Sequence, residues 1–193
     1  VAGVRLLLHT MVVDAIREGN KVIGAIIEGK SGREAILAHT VIDTTGDGDV
    51  AAKAGARFIK QHATSKVGMP FGMTNVDMPR LVAFLEENDM ITQLIRADKG
   101  SSVDDVVRLG FELRKLPLFR EYMDKTGMWG PLGASLHENN YTYINSASIP
   151  NVDATDTEML SKAEVTLRKQ VMTLSAMLKE HIPGFENAYL SWT

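Results

Sequence analysis

Thr40-Val-Ile-Asp-Thr-Thr-Gly-Asp-Gly-Asp-Val-Ala-Ala-Lys-Ala-Gly55 decides how this chain is read. A strand signal, a tight glycine turn and a helix signal abut in it without a spare residue. Val41 and Ile42 read as the end of a buried strand. Gly46 and Gly48 supply a turn that takes positive φ at little steric cost. Val50 to Ala54 reads as a short helix stopped by Gly55, a candidate C′ glycine. Ala51, Ala52 and Ala54 are small enough to let that helix lie close to a sheet. Strand, glycine turn and helix in this order make a common nucleotide-site geometry.

Upstream, Val4 to Thr10 is a short apolar run bounded by Gly3, the pattern of a strand buried on both faces. Met11 to Ile16 continues as strand, and Glu18-Gly-Asn20 is a turn. Lys21 to Glu28 is a second strand, Lys30-Ser-Gly-Arg33 a second turn, and Glu34 to Ile42 a third strand. Two short turns between adjacent strands predict an antiparallel meander that runs on into the glycine turn.

Downstream, Phe58 to Lys66 carries no clear pattern. Gly68 to Asn75 has strand spacing around Phe71 and Met73, and Pro70 predicts an edge position. Asp77 or Met78 caps a predicted helix with Pro79 in its first turn. Leu81, Val82, Leu85, Ile91, Leu94 and Ile95 form its apolar face, with Asn88-Asp89 as a break point. Ser102 with Asp105 resembles a capping box for a helix ending near Lys115. Pro117 either ends that helix or begins another turn of helix through Met123. Gly130 to Glu138 and Tyr141 to Ser148 predict a hairpin closed at Asn139-Asn140. Thr155 and Glu158 form a capping box before the longest helix, whose face is Leu160, Ala163, Leu167, Val171, Leu174 and Leu178. The sum is an α+β chain.

The 193 residues suffice for one large domain or two small ones. Apolar residues at 45% and charged residues at 23% are ordinary for a folded protein. A net charge of −3 gives no reason to expect a nucleic-acid partner. The absence of cysteine excludes disulfides and thiolate metal sites. No apolar run approaches the length of a membrane span, and the cytoplasm is the default compartment. The chain starts at Val1 and stops at Ser191-Trp192-Thr193, so both ends read as cut from something longer. A cut domain is expected to expose core-like surface and to self-associate.

Gly46-Asp-Gly-Asp-Val-Ala51 fits the Gly-x-Gly-x-x-Gly/Ala dinucleotide fingerprint literally. Asp47 and Asp49, however, sit where phosphate charge would arrive. Each like-charge contact costs about 1 kcal/mol in water and about 4 kcal/mol at an effective dielectric near 20. The acidic ribose partner about 20 residues on is missing as well. A better role for the turn is to hydrogen-bond hydroxyls of a ribose or ribityl chain, or to cap the helix. A purely structural turn is the alternative. Asp43, Asp47 and Asp49 could instead hold a hard cation, although no glutamate follows at the calcium-loop spacing. The five histidines show no metal-ligand pairing. His137, beside Glu138 and Asn139, is the best lone acid/base candidate. The ten methionines read mostly as core filler.

Val41 to Gly55 resembles FAD-dependent oxidoreductases of the glutathione-reductase-like flavoprotein superfamily, distant relatives of the fumarate reductase flavoprotein. The hydrophobic strand, the Thr-Thr-Gly-Asp turn, Val-Ala-Ala and Ala-Gly carry the likeness. Gly3 to Thr10 is similar to the strand that passes the adenine. Asn75-Val-Asp77, Val152 to Asp156, Ala163-Glu164 and Ile182 to Asn187 are similar to markers of the interposed domain. The resemblance implies that 1–57 is the middle of an FAD-binding domain and 58–193 most of a substrate-side domain. It implies that an N-terminal Gly-x-Gly-x-x-Gly and a C-terminal FAD segment lie outside this sequence. Carried over, Thr45, Gly46 and Asp47 approach the flavin nucleotide, and the backbone of Met11 and Val12 meets adenine. No catalytic residue transfers.

The expected activity is hydride transfer between a small-molecule substrate and FAD, with the chain itself binding FAD weakly or not at all. A rival reading is a non-enzymatic ligand- or protein-binding module with a structural turn. A third is a nicotinamide enzyme that uses Gly46 to Ala51 directly.

Overall fold

The computed structural model describes residues 3–59, 66–96, 106–129, 131–137 and 141–193. The fold is α+β, and the chain divides into two compact units, Val1–Lys60 and Gln61–Thr193.

The first unit holds the predicted meander. Strands β1 (Met11–Glu18), β2 (Lys21–Gly29) and β3 (Gly32–Leu37) pair antiparallel in the order β1-β2-β3. Helix α1 (Asp49–Lys53) packs on β1. Ile27 and Val50 are the buried apolar side chains of this unit among the described residues. Two strand expectations fail here. β3 ends at Leu37, so Val41 and Ile42 are not in a strand, and Val4 to Leu8 pairs with none. Val4, Leu6, Leu8 and Ile42 are 75%, 73%, 68% and 81% exposed. An apolar run becomes a strand only where a neighbour completes its N–H and C=O pairing. None of the described strands does so for these two runs.

The second unit is built on a six-stranded antiparallel sheet. Its strands are β4 (Lys66–Thr74), β5 (Ile91–Arg96), β6 (Val106–Glu112), β7 (Pro131–His137), β8 (Tyr141–Pro150) and β9 (Tyr189–Trp192). Their spatial order is β5-β6-β7-β8-β4-β9. Helices α2 (Met78–Glu87), α3 (Pro117–Thr126) and α4 (Thr157–His181) complete the unit, and α4 lies across β4, β8 and β9. Phe71 and Met73 of β4, Leu109 and Phe111 of β6, Leu81 and Leu85 of α2, and Leu167, Val171, Leu174 and Leu178 of α4 share one core. The hairpin predicted around Asn139-Asn140 is the β7–β8 pair, and its turn lies outside the described residues.

Two predicted helical segments are strands. Ile91, Leu94 and Ile95 belong to β5, and Val106 to Phe111 to β6. The β5–β6 register shifts between Ile91 and Gln93 and again between Ile95 and Arg96. Each irregularity adds a residue to the alternation, so Ile91 and Leu94, three apart, are both partly buried. That spacing imitates a helix. The capping pair Ser102 and Asp105 lies outside the described residues. α2 stops at Asn88, and Asp89 takes φ 51 with its carboxylate held 2.7 Å from Lys115 Nζ.

Pro70 does not place β4 at an edge. β4 lies between β8 and β9, but its pairing with β8 breaks register between Met69 and Phe71, and β9 reaches only Gly72 to Thr74. The proline therefore sits at an irregularity, beyond the reach of β9, where its missing N–H is not needed.

α2 is capped as predicted: Asp77 accepts from Arg80 N at 3.1 Å. α4 is capped one residue later than the predicted box. Asp156 accepts from Met159 N at 2.9 Å, Thr155 bonds to Asp153, and Glu158 pairs with Lys162 at 2.6 Å. The buried face of α4 starts at Ala163, and Leu160 is exposed. The loops at the start of α2 and after α4 clasp each other. Asp77 N donates to Gly184 O at 2.9 Å, Asn75 Nδ2 donates to Asn187 O at 3.0 Å, and Arg80 pairs with Glu186 at 2.8 Å. No helix among the described residues is long and apolar enough to cross a membrane.

Candidate functional site

The glycine turn is organised by Asp43. Its Oδ1 accepts from Thr45 N at 3.0 Å and from Thr45 Oγ1 at 2.7 Å, and its Oδ2 accepts from Ala51 N at 2.8 Å. Thr45 Oγ1 in turn accepts from Asp49 N at 2.8 Å. The first-turn donors Asp49 N and Ala51 N of α1 are therefore satisfied by side chains that precede the turn. Gly48 occupies the N-cap with φ 73 and offers no side chain. The Thr45 hydroxyl, followed by the N–H groups of Ala51, Thr45 and Val50, holds the Asp43 carboxyl below the ordinary aspartate value.

Capping thus falls to Asp43 and Thr45, and neither Asp47 nor Asp49 serves as cap. A short stretch can show its own N-cap, but a cap eight residues away becomes visible only when the turn folds back. The available signal was the Asp-x-Thr unit, which recurs at Asp153–Thr155 with the same two bonds, 3.0 and 2.7 Å. The cation alternative gains nothing: both Asp43 oxygens face N–H or O–H donors. Among the described residues no group of three or more His, Asp or Glu could hold a metal.

Thr45, Gly46 and Asp47 lie together in this turn. Asp47 is exposed and has no partner among the described residues. Gly46 has φ 90, and among the described residues no atom beyond the flanking residues lies within 4 Å of where a Cβ on Gly46 or Gly48 would stand. Met11 and Val12 open β1 opposite Glu28 and Ile27, and no hydrogen bond among the described residues joins either to the turn. His137 ends β7 in the second unit, opposite Tyr141. That unit also has a cleft of about 440 Å³ beside the clasp, lined by Asn75, Asp77, Arg80, Glu186 and Asn187. There Arg80 and Glu186 are paired with each other, Glu186 also takes Gly184 N at 2.8 Å, and Asp77 serves as a helix cap.

These groups define what the turn can hold. In a dinucleotide fingerprint the helix N–H groups face pyrophosphate. Here the Asp43 carboxylate already takes the N–H groups of Thr45 and Ala51. The open Gly46–Gly48 backbone and the free Asp47 carboxylate do fit a hydroxyl-bearing chain, with Asp47 accepting from a hydroxyl.

A family model described as FAD dependent oxidoreductase matches residues 1–193. The chain belongs to the FAD dependent oxidoreductase family, whose members are flavoproteins. No curated protein and no solved structure matches it.

Proposed function

We propose that this chain is part of an enzyme that passes hydride between a small molecule and FAD, and that Thr45–Asp47 makes a second contact to the cofactor. The observation that supports this reading is the open Gly46–Gly48 backbone beside a free Asp47 carboxylate, in a chain of this family. FAD carries hydroxyls on its ribityl chain and ribose, and such a segment suits the turn. Redox chemistry comes from the isoalloxazine ring when the cofactor is bound, while the protein orients it. Asp43 and Thr45 keep the turn in shape, Asp47 accepts from a cofactor hydroxyl, and the backbone of Met11 and Val12 meets the adenine.

Residues 1–57 serve the cofactor and 58–193 the substrate, with His137 the candidate proton carrier. The pyrophosphate is held by sequence outside this chain, so the chain alone is inactive and binds FAD weakly. Exposed Val4, Leu6, Leu8 and Ile42 support self-association of the isolated chain.

The test is an FAD titration followed by amide NMR and flavin absorption. Weak binding with shifts confined to the turn and the start of β1 is expected. A stable yellow complex of submicromolar affinity would overturn the missing cradle, and unmoved turn amides at saturating FAD would overturn the contact.

A further inference from the structure

We propose that the face of the six-stranded sheet turned away from its core holds a small molecule with a carboxylate beside a flat body, and that Arg108 anchors the carboxylate. Naming this molecule as the substrate rests on the reading that 58–193 is the substrate side.

The register defines the face. Leu94, Leu109, Ala134, Ile144 and Phe71 are partners in one row across five strands, and Leu109, Ile144 and Phe71 lie in the core. Directly paired residues project to the same side, and successive residues alternate. The neighbouring rows therefore put Gln93, Gly110 and Asn145, and with them Arg108 and Tyr143, on the opposite face, with β7 running between β6 and β8. Gln93, Arg108 and Asn145 are exposed.

Arg108 is an oriented cation without a counter-charge. Its Nε donates to Gln93 Oε1 at 2.8 Å, which aims the guanidinium and leaves both terminal nitrogens without a partner among the described residues. Arg80, Arg114 and Arg168 of the same unit each pair with a carboxylate, but among the described residues Arg108 has none. The fork matches the two oxygens of a carboxylate. Gly110 and Gly133 are partners across β6 and β7 and bring no side chain to the row that runs from Gln93 to Asn145. β8 lies two strand spacings from β6, about 10 Å. On its side of that gap the Asn145 amide has no hydrogen-bond partner among the described residues, and the Tyr143 ring packs 5.4 Å from that of Trp192. The amide can bond a polar group, and the aromatic pair can take the edge of a flat body. A ring bearing one carboxylate, as in benzoate, suits this span.

Isotope-labelled wild-type and Arg108→Gln chains are titrated by NMR with benzoate and with benzamide, which keeps the shape and lacks the charge. In the wild type, benzoate is expected to shift the Arg108 Nε–H and the Gly110 and Asn145 amides, and to bind about tenfold more tightly than benzamide. R108Q should lose that preference. No binding of benzoate at the sheet, equal binding of the two probes, or a preference kept in R108Q overturns the inference and leaves the flavin reading standing. Should R108Q lose the amide pattern of β5 to β8, Arg108→Lys decides, because it keeps the charge and loses the fork. A several-fold loss of benzoate affinity in R108K supports the anchor, and an unchanged affinity overturns it. In the intact, FAD-loaded gene product benzoate should also perturb the flavin bands. Binding at the sheet with unmoved flavin bands supports the carboxylate site and overturns the substrate-side reading alone.

Discussion

Gly184→Ala tests the clasp that closes the second unit. Gly184 has φ 97, and an added Cβ would stand 2.6 Å from Asp77 O, 2.8 Å from Leu81 Cβ and 2.9 Å from Leu81 N. Two of those atoms are backbone, and Leu81 is only 1% exposed, so none of the neighbours can swing aside. Holding a non-glycine residue at such a φ costs about 1–3 kcal/mol. Forcing extra volume into a packed site costs about 1–3 kcal/mol more. The sum, roughly 2–6 kcal/mol, is a large share of the 5–15 kcal/mol that holds a typical domain together. Trp129 and Trp192 are the two tryptophans and both lie in this unit, so their fluorescence during urea unfolding reports on it alone. The midpoint should fall with little change in slope. A loss under about 0.5 kcal/mol, the range of neutral surface changes, would refute the clasp as described.

Phe185→Ala empties a fully buried site in the same core and should cost about 3–5 kcal/mol in the same assay. Asp156→Ala should cost about 0.5–2 kcal/mol, the loss of a helix cap, whereas Thr155→Ala should leave the Met159 amide protected against exchange. The pH dependence of the glycine turn has a definite sign. The folded Asp43 carboxyl is lowered, chiefly by the Thr45 hydroxyl, so its contribution is complete above the unfolded value and is lost as pH falls through the folded one. Amide shifts of Thr45 and Ala51 should hold steady from neutrality down to the ordinary aspartate range and move only below it. Movement near neutrality would contradict the assignment.

The parts of the fold legible in the sequence were those set by local rules. Glu18-Gly-Asn20 and Lys30 to Arg33 are turn chemistry, and they delimit the meander. The spacing of Ala163, Leu167, Val171, Leu174 and Leu178 gives α4 its buried face. β5 and β6 were illegible because their pairing irregularities turn an alternating pattern into a helical one. Val4 to Leu8 and Val41-Ile42 were over-read because their composition is strand-like but pairing depends on a partner, which hydropathy does not reveal. The glycine turn was legible as a turn, through Gly46 and Gly48. The residue that does most to close it, Asp43, acts across eight positions to Ala51, beyond the reach of a local motif.

As proposed above, the chain is part of a flavin-holding enzyme whose glycine turn meets the cofactor's hydroxyls. The absorption spectrum of the purified intact gene product, alongside an Asp47→Asn variant, tests it most directly. Flavin bands near one FAD per chain are expected in the wild type, with weaker retention of FAD on dilution in the variant. A colourless wild-type product that takes up no added FAD would contradict it.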